Sequence, residues 1–236
     1  MGFDKFSAPD ATRLTLRNAI NHAKVRIANA SPLAAQFAQH RDDIPSATLL
    51  RHAIEQALRG NLFRPLDAMA FRMLKDMHSP AAPLWGLHGM SDGHRDSAAL
   101  LYLRDAGLNP AAIAEMPLLT STLRLRRFVE WATGLHGPMP ILLNTLWMEC
   151  SPELGSVVLR ARAEAAAIDR VRVEGILDVV VHLVKDEAAF NAAEQLIDSI
   201  AQFSAMYFSE LAAVCGTANP GERENRNPAI AGLSAR

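Results

Sequence analysis

Proline and glycine punctuate this chain at intervals that suit helices. Few stretches between them alternate apolar and polar residues with the period of two that a half-buried strand needs. Clusters of β-branched residues are scarce outside residues 179–184. The spacing therefore predicts an all-α chain. A first helix is expected from about Asp10, as its N-cap, to Asn29, and a short one after Ser31-Pro32, where proline suits the first helical position. Ser46 is expected to cap a helix that stops at Gly60, with another from about Arg64 to Met77 and a loop over residues 78–90. Further helices are expected from about Asp92 to Ala106 with Gly107 just past the end, from Pro117 to His136 ending at Gly137, and from Pro140 to Glu149. Ser151-Pro152 opens a helical region to about Ala167, and the last helices cover about Ile168 to Val214, with a break or kink near Gly175. Loops this short make successive helices antiparallel neighbours. No internal repeat of about 20–50 residues is visible, which disfavours a helical solenoid. The polar tail, residues 216–236, is expected to be disordered, leaving residues 1–215 as one helical-bundle domain.

Half of the 236 residues are hydrophobic and 21% are charged, so the chain can bury a sizeable core and is not disordered over most of its length. A net charge of -1 and the lack of a basic stripe with interleaved aromatics argue against nucleic acid as a partner. No apolar run approaches the roughly 18 residues of a membrane span. The opening MGFDKFSAPD has no apolar stretch of the kind a signal peptide carries, so a cytoplasmic protein is expected. Cys150 and Cys215 lie far apart and form no CxxC pair, which excludes a disulfide framework and a zinc ribbon.

Ionisable residues set among apolar ones are the candidates for function. Asp178, His182 and Asp186 follow one another at i, i+4 and i+8 through a segment otherwise made of Ile, Leu and Val. Imidazole and carboxylate one turn apart can share a cation such as iron, manganese or zinc. The same stripe also fits a solvated face on which Asp178 pairs with His182. Glu149 shares a mainly apolar face with Leu142, Thr145 and Leu146 at a helix C-terminus, where an acid opposes the helix dipole unless a cation meets it. His94, with Asp92 and His88 just before it, forms a third candidate, and Asp92 equally suits a helix cap. The glycines of residues 86–93 follow no strand and lead to no Lys-Ser/Thr, so they are not a phosphate loop. Met69, Met73 and Met77 read as core, and Trp131, Trp147, Tyr102 and Tyr207 as core or pocket lining.

Four segments occur in a recognisable order: HRDSAALLYLRDAGL (94–108), PLLTSTLRLRRFVEWA (117–132), NTLWMEC (144–150) and HLVKDEAAFNAAEQLI (182–197). Together they resemble the haem-oxygenase-like iron-dependent oxidases and oxygenases over about residues 60–212. The resemblance implies a haem-oxygenase-like bundle and Fe(II), as one or two ions, with manganese as the alternative. His94, Glu149, His182 and Asp186 would be ligands, and Asp92 or His88 would complete the set. The implied activity is that of a non-haem metal oxidase or oxygenase using dioxygen on a small organic substrate; pairing as a homodimer is left open. Two positions depart from the family pattern. Its first Glu falls at Ser91 or Leu87 here, and its last His at Ala189 or Phe190. Related metal-free branches, the thiaminase-II-like and pyrroloquinoline-quinone synthase-like proteins, use the same central pocket for organic substrates. The alternatives are accordingly a metal-free enzyme or binder with that pocket, or a non-catalytic homologue.

Overall fold

A computed structural model describes residues 9–39, 44–88, 94–150 and 163–216; for residues 88, 94–98 and 163–170 it describes the main chain alone. Among the described residues the chain forms ten helices and no strand. These are α1 (Pro9–Ala30), α2 (Pro32–Ala38), α3 (Ser46–Asp76), α4 (Ala82–His88), α5 (His94–Asp105), α6 (Pro110–Ala114), α7 (Thr120–His136), α8 (Met139–Cys150), α9 (Ala163–Leu183) and α10 (Glu187–Val214). No helix among them is long and apolar enough to cross a membrane. Asp92, residues 151–162 and the tail beyond Gly216 lie outside the described residues.

Hydrophobic burial explains the layout. Residues Met139–Trp147 of α8 are all buried, and α3, α7, α9 and α10 pack around that helix. α10 in turn packs against α1, α2, α7 and α8. One main core runs through these helices, with Leu16, Leu74, Trp85, Leu142, Trp147, Val180 and Phe208 fully enclosed. A smaller cluster of Ala53, Ile54, Ala57, Ala99, Leu103 and Ile113 fills the angle between α3, α5 and α6. α3 is thus covered on two sides, and every residue from Arg51 to Ala57 is buried.

Several boundaries follow the sequence signals. Ser31 caps α2, its hydroxyl accepting from the Ala34 N–H at 3.3 Å. Gly107, at φ +83°, ends α5 with the paired bonds Leu108 N–H to Leu103 O and Gly107 N–H to Arg104 O, both 2.9 Å. Others differ. The expected break at Gly60 is absent, and α3 runs through both Gly60 and Pro65. Pro65 has no N–H for the carbonyl four residues back, and its ring loosens the helix there. The neighbouring Leu62 carbonyl accepts a 2.7 Å bond from Arg126 of α7. Packing against other helices outweighs the propensity cost of roughly 3 kcal/mol for an interior proline. α4 occupies part of the expected loop because Trp85 is fully buried and donates from its indole to the Asp67 carbonyl at 3.0 Å. Gly175 lies inside α9; the break falls at residues 184–186, where Asp186 begins the next helix.

His78 ends α3 at φ +50°, the only non-glycine residue with positive φ among those described. Its N–H bonds to the Lys75 carbonyl, and the Ser79 N–H to that of Leu74, both at 2.9 Å, which is the glycine-type ending of α5 built on a side chain that resists it. His78→Gly is therefore expected to stabilise the fold by about 0.5–1 kcal/mol. Urea unfolding checks this, and a lower midpoint would show that the His78 side chain contributes more than its backbone strain costs.

Candidate functional site

The residues singled out from sequence are held apart. Glu149 is buried and meets Arg172 of α9 at 3.3 Å, so the cation that its apolar face called for is a guanidinium. His182 is exposed, and its Nδ1 lies 2.7 Å from the Asp178 carbonyl of its own helix. Asp178 pairs with Arg13 of α1. Asp186 is exposed and caps α10, accepting from the Ala189 N–H at 2.7 Å. The i, i+4, i+8 stripe is broken because α9 ends at Leu183, before its third member. His88 and His94 contribute main chain to α4 and α5, and their side chains, like Asp92, lie outside the described residues. Among the described residues no three His, Cys, Asp or Glu side chains could hold a common metal ion.

The polar groups that are enclosed come from α3. Arg51, His52, Glu55, Gln56 and Arg59 are all at least nine-tenths buried, and they face α2, the start of α7 and the second half of α10. Residues 51, 55 and 59 form one row of the helix, and 52, 56 and 59 the next.

The first row is a clamp. Glu55 accepts from Arg51 Nη2 at 2.7 Å, from the Leu119 N–H at 2.7 Å and from the Thr122 hydroxyl at 2.9 Å. Arg51 also donates to the Pro117 carbonyl at 2.6 Å. Glu210 of α10 accepts from the Thr120 and Ser121 N–H groups at 2.8 and 2.7 Å. α7 has no side-chain cap of its own, so these two carboxylates satisfy its first N–H groups and meet the positive end of its dipole. Partial burial alone would raise the Glu210 carboxyl, but hydrogen bonds from Ser121 and Thr120 hold it below its ordinary value. Burial raises that of Glu55, against the pull of Arg51, the Leu119 N–H and Thr122.

Neither row is fully closed: in the first, Arg51 Nε and Nη1 have no hydrogen-bond partner among the described residues. His52 Nδ1 is 2.7 Å from the Tyr207 hydroxyl, and the His52 ring is enclosed by Phe37, with 4.7 Å between centroids. Its Nε2 has no hydrogen-bond partner among the described residues, and neither have Gln56 Nε2 and Arg59 Nε. The Arg59 guanidinium lies over the rings of Phe63 and Tyr207, 5.8 and 5.6 Å from their centroids. Burial, helped by the Arg59 charge, lowers His52 to about 3, so the imidazole is neutral. Burial, with the Glu55 charge, raises Tyr207, so the phenol keeps its proton. On the outer side of the same α7–α10 junction, Thr120, Ser121, Arg124, Met206 and Glu210 line an open groove of about 540 Å³.

Sequence reasoning singled out no residue of RHAIEQALR (51–59), since Arg, Glu and Gln at helical spacing suit a solvated face as well as an enclosed one. The available signal was a helix whose other face, Ala53, Ile54 and Ala57, is apolar, combined with a histidine inside the polar row. Trp147 and Tyr207 are buried as expected, whereas Trp131 is 65% exposed. No family model, no curated protein and no solved structure matches the chain.

Glu55→Ala strands Arg51 without its carboxylate and removes the Leu119 cap; a loss of about 3–5 kcal/mol is expected in urea unfolding. A loss below 1 kcal/mol would contradict the clamp. His52 adds a pH dependence. Its folded pKa lies near 3, below the ordinary 6.5, so the unfolded chain takes up the proton first as pH falls. The stability it confers is complete above 6.5 and is lost as pH drops toward 3, with a limiting slope of about 1.4 kcal/mol per pH unit from this group. Unfolding midpoints measured from about pH 6.5 to 5 should fall in the wild type and much less in His52→Gln.

Proposed function

We propose that this chain binds a small organic molecule in the interior of its helical bundle, against His52, Gln56, Arg59 and Tyr207, and acts on it through side chains rather than a metal. The observation that supports this reading is the run of buried donors on one row of α3 with no partner among the described residues. Buried polar groups in native proteins nearly always have partners, and the open nitrogens of His52, Gln56 and Arg59, with two more on Arg51 beside them, fit a ligand that supplies acceptors. The haem-oxygenase-like course of the chain, with a central pocket for an organic substrate, belongs to the same proposal and rests on the four collinear segments.

The chemistry available is hydrogen bonding whose direction can switch. A neutral imidazole paired through Nδ1 with a protonated phenol has two arrangements. When Tyr207 donates to Nδ1, Nε2 carries the hydrogen and faces the ligand as a donor. When Nδ1 donates to Tyr207, Nε2 offers its lone pair as a base, and the phenol hydrogen turns to another acceptor. Both arrangements are neutral, so the pair can donate a hydrogen bond to a ligand or accept one from it; net proton uptake would leave an imidazolium beside Arg59, and no such step is drawn. The expected iron ligands fit a metal less well. Glu149 is engaged by Arg172, Asp186 by the first turn of α10, and His182 lies on the surface. No step is drawn through a metal on that donor set.

Thermal unfolding of the full chain in the presence of small acids, amides, amines, sugars and nucleosides, and separately of Fe(II) and Mn(II), tests the reading. At least one organic class should raise the midpoint in the wild type but not in Gln56→Leu or Tyr207→Phe. A shift given by the metals alone, and lost in Glu149→Gln, would return the site to the iron reading.

A further inference from the structure

Charge identifies what kind of molecule the interior row would take. Among the described residues the fully or nearly buried charged side chains are Arg51, Glu55, Arg59 and Glu149, and Glu149 belongs to Arg172 elsewhere. Around Tyr207 this leaves two guanidinium groups against one carboxylate. Glu55 cannot serve both arginines equally, because its oxygens already accept from Arg51, the Leu119 N–H and Thr122. Arg59 is thus a buried cation that feels the Glu55 charge without a direct hydrogen bond to it, its closest described contacts being the ring faces of Phe63 and Tyr207. Rings packed on its faces leave the planar edge of a guanidinium, with its parallel N–H groups, directed at whatever shares its plane. That edge matches a carboxylate held by two hydrogen bonds. Gln56 Nε2, without a partner, lies on the same row one turn back, and His52 Nε2 a turn further. Neither adds charge, so the excess is a single positive unit.

We propose that the interior ligand carries one carboxylate, received by Arg59 with Gln56 as a second donor, on an apolar or aromatic stem that lies among Phe37, Phe63 and Tyr207. This rests on the reading of the site given above. A monoanion cancels the excess charge, whereas a phosphate dianion would leave a buried negative charge without a counterpart. An amide of the same shape would leave the excess positive charge in place.

Calorimetric titration of the full chain with matched acid and amide pairs separates these cases: phenylacetate with phenylacetamide, hexanoate with hexanamide, indole-3-acetate with indole-3-acetamide, and inorganic phosphate alongside. At least one acid should bind about tenfold or more tighter than its amide. That preference should collapse to within about twofold in Arg59→Met while the amide affinity is kept. Arg59→Lys, which keeps the charge but not the fork, should retain part of the preference, and it carries the comparison if Arg59→Met does not fold by circular dichroism. Amides binding as tightly as acids would overturn the carboxylate assignment and leave the interior site standing. Phosphate competing with and outbinding every acid, or an acid preference unchanged in Arg59→Met, would also overturn it. No binding by any acid or amide would remove both the carboxylate and its pocket.

Discussion

The bundle is organised around one buried ion pair, Arg51 with Glu55, and what that pair holds. α7 begins without a cap of its own, and its first N–H groups face inward. An α3 carboxylate at one side and the α10 carboxylate Glu210 at the other take those N–H groups, while Arg51 fixes the preceding turn through the Pro117 carbonyl. Three helices are set in register by a single helix N-terminus. A buried pair of this kind adds little net stability over an apolar packing of the same volume, yet losing either partner is costly. Its effect here is to specify one arrangement. Because Glu210 is tied to α7, Tyr207 three residues earlier is brought against His52.

Beside these hydrogen bonds lie buried nitrogens of the same helix without partners. Arg51 and Glu55 are tied to α7, yet Arg51 Nε and Nη1, like Gln56 Nε2 and Arg59 Nε, have no hydrogen-bond partner among the described residues. Folding selects for satisfied polar groups. Departures from that rule concentrate where a protein keeps a destabilised surface for something it binds. The neutral His52 and the protonated Tyr207 belong to the same low-dielectric space, and their states are consequences of enclosure rather than independent features.

The helical class and many element ends were legible in the residues. Ser31-Pro32 opens α2, Gly107 closes α5 and Gly137 closes α7, because these are local backbone preferences that need no tertiary partner. Continuity through Gly60 and Pro65 was not legible, since it depends on α7, whose Arg126 meets the carbonyl at Leu62. The candidate site failed for a related reason. Asp178 and His182 lie among valines and read as interior, but the apolar residues on both sides turn toward α8 and α4 and leave that row outward, where Arg13 reaches it. The row 51–59 was not singled out, and it is enclosed only because the start of α7 and the end of α10, both distant in sequence, close over it.

If Arg59 is kept for a ligand, the fold does not need its charge. The equilibrium stability of Arg59→Met in denaturant, without added ligand, measures this directly. Removing the excess buried cation while keeping an unbranched apolar stem should raise the unfolding free energy by about 1 kcal/mol or more, with an unchanged denaturant slope. A fall of about 2 kcal/mol or more would show that the guanidinium is part of the structural network, and the interior row of α3 would then be scaffold alone.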